Sequence, residues 1–298
     1  MEILKENIHN LENKIVIVTG SNCGIGFEAA KIFANQGAKV VLACRDDERG
    51  RNAEELIGNG SKYINLDLTS FKNINNFSKI IKSEFGSIDI LLNNAGVMFP
   101  PFTKTDEGLE LTFAVNYIGY FYLTLKLLDL IKNVKNSRIV NVSSIAHYSA
   151  KEINFENLNS EQNYDRASTY NLVNLLRVMF TMELEKKLRE KEMETIAVAC
   201  HPGVAKTNLT RHLPGFLKKG FLLNIVFSTF FMSAYEGALP LVIAAAGTNV
   251  KGGDFVGIDS KRQMKGSPKI TKPNDLVFDD NLRIKLWNNT QEITGLYF

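Results

Sequence analysis

The chain has 298 residues, of which 45% are hydrophobic, and a formal net charge of +3. This is enough apolar side chain for a large core and too much for a disordered chain. The basic residues are scattered, which excludes a nucleic-acid-binding stripe. The three cysteines, Cys23, Cys44 and Cys200, lack CxxC spacing, so neither a disulfide framework nor a metal site is expected and a reducing, cytoplasmic setting is. Residues 1–7 lack an apolar h-region, so no secretory signal is expected.

Short β-branched runs alternate with longer amphipathic ones. Lys14–Thr19 reads as a buried strand and Gly24–Asn35 as a helix, with Ile25, Ala29, Ile32 and Phe33 on one face. A strand at Lys39–Ala43 precedes a helix at Asp46–Leu56 with an acidic first turn. The third strand is Tyr63–Leu66, the next helix Phe71–Phe85 and the fourth strand Ile88–Leu92. A long helix follows over Glu107–Ile131, then a strand at Arg138–Val142, a helix at Thr169–Glu190, a strand at Thr195–Ala199, a helix at Ala234–Ala246 and a last strand near Gly253–Gly257. Such alternation predicts an α/β fold: one Rossmann-like, doubly wound parallel sheet of about seven strands with helices on both faces, over residues 1–298 as a single domain.

Insertions concentrate at 145–165 and 208–232, after strands, at the edge where such sheets bind ligands. Within the second, Phe221–Met232 is apolar but has 12 residues, short of the roughly 20 that a spanning helix needs. No transmembrane span is expected. The segment reads as a substrate-covering lid or an interfacial helix, with peripheral membrane contact or a homodimer contact as its other uses.

Thr19-Gly20-Ser21-Asn22-Cys23-Gly24-Ile25-Gly26 joins the first strand to the first helix. Glycines allow a tight turn and close approach of a phosphate, and the helix start offers free N–H groups. Between a strand and a helix, this loop points to a dinucleotide. Further on, Tyr170 and Asn174 lie at i, i+4, on one helical face, and Arg177 follows at i+7.

The G-x-x-x-G-x-G spacing resembles that of the short-chain dehydrogenases/reductases. Asp67-Leu68, Asn93-Asn94-Ala95-Gly96, Asn116 in Val115-Asn116-Tyr117-Ile118-Gly119, Arg138–Ser144 and Pro202-Gly203-Val204-Ala205-Lys206-Thr207 extend the resemblance in family order over about residues 14 to 260. Asn141-Val142-Ser143-Ser144-Ile145-Ala146-His147, His201-Pro202-Gly203-Val204 and the Leu286-Trp287 … Thr294-Gly295 ending look most like the retinol-dehydrogenase-like branch. The resemblance implies a nicotinamide cofactor held by Gly20, Ser21, Asn22, Gly24, Ile25, Gly26, Arg45, Asp67, Leu68, Asn94, Ala95, Gly96, Tyr170, Pro202, Gly203, Val204 and Thr207. It implies that Ser144 hydrogen-bonds the substrate oxygen, with Ser143 its rival, that Tyr170 exchanges a proton with it, and that Asn116 holds a water in the proton relay. The partner it implies is a small lipophilic carbonyl or alcohol: retinoid, steroid or long-chain aldehyde.

Asn174 departs from the family, which has lysine there. A tyrosine of pKa about 10 is a poor proton shuttle near neutrality. A lysine about 5 Å away, at an effective dielectric of ~20, stabilises tyrosinate by roughly 3 kcal/mol, about two pKa units. Asparagine can keep the ribose hydrogen bond of that lysine but supplies no charge. Arg177 either lends some field or is a solvated or packing cation. Two outcomes stay open: an oxidoreductase, slowed by Asn174, or a nucleotide-binding pseudoenzyme. For the cofactor, strand two ends in Ala43-Cys44, where NAD enzymes of the family carry an acid, and Arg45 then suits a 2′-phosphate. NADP(H) is favoured, with NAD(H) the alternative, because Asp46 and Asp47 follow.

Overall fold

In the computed structural model, residues 7–205 and 232–298 are described. Eight strands form one sheet among these residues: β1 (Ile15–Thr19), β2 (Lys39–Cys44), β3 (Lys62–Asn65), β4 (Ile90–Asn93), β5 (Arg138–Val142), β6 (Ile196–Cys200), β7 (Phe255–Ile258) and β8 (Pro268–Ile270). Their order is β3-β2-β1-β4-β5-β6-β7-β8. All pairs are parallel except β7–β8, which is antiparallel. The expected sheet is therefore correct in class but has one strand more. β8 has three residues and starts at a proline, too short for a periodic signal.

The helices are α1 (Gly24–Asn35), α2 (Asp47–Ile57), α3 (Phe71–Glu84), α4 (Leu111–Ile131), α5 (Arg166–Glu190), α6 (Ala234–Ala246) and α7 (Asp280–Thr294). Parallel strands must bury both faces, and two apolar clusters do so. One joins Val16, Val18 and Val140 to α1 and α6. The other joins Ile17, Leu91 and Ile139 to α3, α4, α5 and α7, with Phe121, Phe180 and Trp287 in mutual ring contact. α4 is long and apolar enough to cross a membrane, yet most of it is buried against the sheet.

Three helices differ from expectation. α5 starts at Arg166, not Thr169, because the Asp165 carboxylate accepts from Ser168 N. α4 starts at Leu111, not Glu107, because the Glu110 carboxylate accepts from Phe113 N and sets the N-terminus. Residues Ala114–Ile118 within it form a π-turn. α7 carries no helix expectation; it runs from a capping Asp279 to a left-handed Gly295.

After β1 the chain winds outward through β2 and β3, then returns to place β4 on the other side of β1. The carboxyl ends of β1 and β4 thus flank a topological switch point, the place where open α/β sheets bind ligands.

Candidate active site

The turn after β1 is locked to the turn after β4. Thr19 Oγ1 accepts from the backbone N of Asn94 (2.8 Å) and of Ala95 (2.9 Å). Asn94 Nδ2 donates to the carbonyls of Thr19 (2.9 Å) and Gly20 (3.4 Å). Two glycines make this approach achievable. Gly20 has φ +65°, and a Cβ there would lie 2.8 Å from Ala95 Cα. A Cβ on Gly26 would lie 2.4 Å from both Asn94 Nδ2 and the Gly20 carbonyl oxygen.

α1 begins at Gly24 with no side-chain cap and no acid in its first turn. Its first N–H groups therefore remain available to an anion. Ser21 Oγ, in the same loop, is fully buried with no hydrogen-bond partner. A Cβ-free cradle, an uncapped helix start and an orphaned hydroxyl fit the diphosphate of a dinucleotide. Asn22 is half-buried beside it, and Ile25 is packed under it.

At the outer edge, Arg45 is exposed. Asp46 caps α2 by accepting from Arg49 N (2.9 Å). Asp47 Oδ1 accepts from the Tyr63 hydroxyl and from Asn65 Nδ2 (3.0 Å), and these bonds hold its carboxyl below the usual range. Burial, then the nearby Asp46, pushes the Cys44 thiol up to about 12. Asp67 uses Oδ1 to accept from Thr69 N (2.9 Å) and Thr69 Oγ1 (2.7 Å). Leu68 is buried against Gly119 of α4, where a Cβ would meet it at 2.8 Å.

The two serines at the end of β5 have different surroundings. Ser143 is buried and its hydroxyl donates to the Asn174 carbonyl (2.8 Å). Ser144 is half-buried and caps the turn Ile145–Ser149, its Oγ accepting from Ala146 N (3.2 Å). α5 packs on that turn. Tyr170 is half-buried in the first turns of α5, with the ring of Phe99 edge-on at 5.2 Å. Phe99 holds φ +56°, a costly conformation for an aromatic residue.

Below Tyr170 the inward face of α5 carries Asn174 and Arg177. Asn174 is fully buried: Nδ2 donates to the Tyr170 carbonyl (2.8 Å), and Oδ1 accepts from Arg177 Nη1 (3.2 Å). Arg177 is 4% exposed, so of the two bland readings the packing cation stands and the solvated one does not. Its Nε donates to the Asn116 carbonyl, Nη1 to the Val142 carbonyl (2.7 Å) and Nη2 to the Ala95 carbonyl (3.4 Å). The guanidinium also lies over the Tyr120 ring at 4.6 Å. Asn116, at the centre of the π-turn, closes a two-bond clamp on Val97: Oδ1 accepts from its N (2.8 Å) and Nδ2 donates to its carbonyl (2.9 Å). Arg177 thus gathers the ends of β4 and β5, the π-turn of α4 and the face below Tyr170.

Residues 14–215 match the family model for short chain dehydrogenase. The chain belongs to the short-chain dehydrogenase/reductase family. Within it, the chain falls in the retinol-dehydrogenase-like branch. It is 35% identical to Retinol dehydrogenase 14 of Mus musculus, over 96% of this chain and 87% of that protein. It is 41% identical to Retinol dehydrogenase 12 of Homo sapiens, over 76% of this chain and 72% of that one. A solved structure of an uncharacterized protein from Mycobacterium Paratuberculosis superposes with a TM-score of 0.81 at 28% identity, covering 98% of this chain and 97% of that one. Membership makes the chain an oxidoreductase of a nicotinamide-dependent family.

In this short-chain dehydrogenase the loop after β6 is lashed to two distant segments. Gly203 (φ +70°) donates its N–H to His201 Nδ1 (3.1 Å). Val204 N donates to the Met264 carbonyl and the Val204 carbonyl accepts from Met232 N, both at 2.9 Å. Pro202 is half-buried beside them. Thr207 and, apart from Met232, the expected lid at 208–232 lie outside the described residues.

Sequence reasoning did not find two buried imidazoles beside the serine turn. His147 Nδ1 donates to the Ser144 carbonyl (2.6 Å), leaving a buried, unpartnered Nε2. His201 Nε2 pairs with Gln263 Oε1 (2.8 Å). Burial lowers both pKa values to about 4, so both rings are neutral at pH 7. The signal was present in the quoted motifs, but spacing alone does not reveal burial.

Proposed function

We propose that this chain is an NADP(H)-dependent oxidoreductase that moves hydride between the nicotinamide and a lipophilic carbonyl or alcohol of retinoid type, steroids and long-chain aldehydes being the neighbouring classes. One observation carries the reading: of the two serines ending β5, Ser143 is buried and donates to the Asn174 carbonyl, whereas Ser144 is only half-buried, its Oγ accepting from Ala146 N on the turn that packs against the Tyr170 helix. In reduction, a bound reduced nicotinamide supplies the hydride. Ser144 Oγ donates a hydrogen bond to the substrate oxygen. The Tyr170 O–H bond breaks, and its proton moves to that oxygen as negative charge gathers there. Oxidation reverses the proton transfer. Asn116 fixes the Val97 backbone beside the site rather than touching substrate.

Arg45 supports NADP(H) over NAD(H). Both neighbouring carboxylates are engaged locally, Asp46 on Arg49 N and Asp47 on Tyr63 and Asn65, so neither competes with a 2′-phosphate at Arg45. The same reading sets the protein in a cytoplasmic compartment, with peripheral contact at a membrane surface or with a second copy. Retinol dehydrogenase relatives support a lipophilic substrate.

A second reading, a nucleotide-binding pseudoenzyme, draws on Asn174, which is neutral and fully buried. Fluorescence titration with NADPH and NADH, followed by turnover with a panel of retinoid, steroid and long-chain aldehydes, separates the two. Tight NADPH binding with aldehyde-dependent oxidation supports the enzyme. Tight binding with no turnover across the panel replaces it with the pseudoenzyme.

A further inference from the structure

We propose that Arg177 is the fixed cation of this site, a positioning residue held beneath the Tyr170 face of α5, and that Asn174 must be neutral because Arg177 already occupies the space beneath it. The inference rests on the reading of Tyr170 as the proton-transfer group.

Three observations carry it. First, Arg177 is 4% exposed, and all four of its oxygen acceptors are neutral: the carbonyls of Asn116, Val142 and Ala95 and the amide of Asn174. Among the described residues no carboxylate lies within ion-pair distance of it, so its charge is not cancelled locally. Second, helical side chains lean toward the N-terminus, so Arg177 leans toward Tyr170, and Nη1 reaches Asn174 Oδ1, one turn below that tyrosine, at 3.2 Å. Third, Nε donates directly to the Asn116 carbonyl, leaving that oxygen engaged by a group that cannot release a proton. Arg177 thus anchors Asn116 through a group that keeps its charge and passes no proton on.

The other ionisable groups on elements packed against α5 leave this field in place at neutral pH. Tyr120 on α4 and Cys200 on β6 are pushed up by burial, and His147 on the serine turn is pushed down to about 4. Glu110 heads α4, bonded to Phe113 N. Farther along α5, Glu183 pairs with Arg283 (3.4 Å) and Lys187 (3.6 Å), and Arg283 also with Asp280.

The test is an ultraviolet difference titration of the cofactor-free protein, each form measured against its own Tyr170→Phe counterpart, so that only the Tyr170 phenol is read. Arg177→Met, which keeps the bulk without the charge, is expected to move that titration to higher pH. Arg177→Lys is expected to hold the wild-type value although it loses the fork of hydrogen bonds. A purely structural role would affect both variants alike. Asn174→Lys alone is expected to lower the melting temperature and leave the rate unimproved, because it sets a second cation against the first. Asn174→Lys combined with Arg177→Met restores a single cation and is expected to recover the wild-type titration; it also serves if Arg177→Met alone does not fold. Identical Tyr170 titrations in wild type, Arg177→Met and Arg177→Lys would overturn the inference, as would a more stable, faster Asn174→Lys single variant. If instead Tyr170→Phe leaves aldehyde reduction intact, the functional reading fails, whatever the titration shows.

Discussion

At the scale of single residues, the site depends on which polar groups are engaged inside the protein and which are left for ligand. Ser143 and Asn174 are engaged; Ser21 Oγ is buried with no partner. Arg45 is exposed, and the carboxylates of Asp46 and Asp47 that follow it are bonded locally. Arg45→Ala is therefore expected to weaken NADPH binding by about 1.5–3 kcal/mol, or roughly 10- to 150-fold, and to leave NADH nearly unchanged. Equal losses for both cofactors would remove Arg45 from the 2′-phosphate role. The buried histidines give a pH prediction. His147 and His201 titrate near 4 when folded and near 6.5 when unfolded, so the unfolded chain binds more protons between those values. Their contribution to stability is complete above about pH 6.5 and is lost as pH falls toward 4, by up to about 3 kcal/mol each. Melting curves across that window should fall steeply in wild type and less so in His147→Phe; parallel curves would show that His147 is not the source.

At the scale of elements, the glycine turn and α4 show what sequence could and could not convey. Gly20 and Gly26 are legible because a required missing Cβ leaves a letter in the sequence. Gly26→Ala would drive a methyl group into Asn94 Nδ2 and the Gly20 carbonyl, each at 2.4 Å from the new carbon. The expected cost is about 1–3 kcal/mol of stability, together with loss of dinucleotide binding, read by melting temperature and cofactor titration. A variant with native stability and affinity would show that the two turns can separate. The π-turn at Ala114–Ile118 left no such letter. It inserts one residue into a helix that is apolar on most sides, so the hydrophobic pattern barely changes. Arg177 was ambiguous for a related reason: an arginine at i+7 reads alike whether it meets solvent or three converging backbone carbonyls. Its partners come from β4, β5 and α4, a convergence that only the tertiary fold creates.

At the scale of the whole molecule, strand–helix alternation was sufficient for the sheet class and the switch point, because the central parallel strands β1, β2 and β4 are nearly continuous apolar runs. The periphery was less legible. β8 is three residues long, and α7 includes Asn288-Asn289-Thr290, weak helix formers held by the packing of Leu286 and Trp287 on the core. Membrane behaviour also belongs to this scale. α4 is apolar because it is a core helix, and Phe221–Met232 is too short to span. Carbonate treatment of membranes from expressing cells is expected to release the protein; retention in the pellet like an integral protein would contradict this.

On the proposed function, Tyr170 exchanges the proton while hydride moves between nicotinamide and carbonyl. This role is tested most directly by single-turnover mixing of the NADPH-bound protein with retinaldehyde, following loss of the reduced-nicotinamide absorbance in wild type and Tyr170→Phe. Wild type is expected to consume its bound NADPH only when aldehyde is present. Tyr170→Phe is expected to bind NADPH with the wild-type Kd yet transfer hydride roughly 10²- to 10⁴-fold more slowly. Hydride transfer at the wild-type rate in Tyr170→Phe would contradict that role.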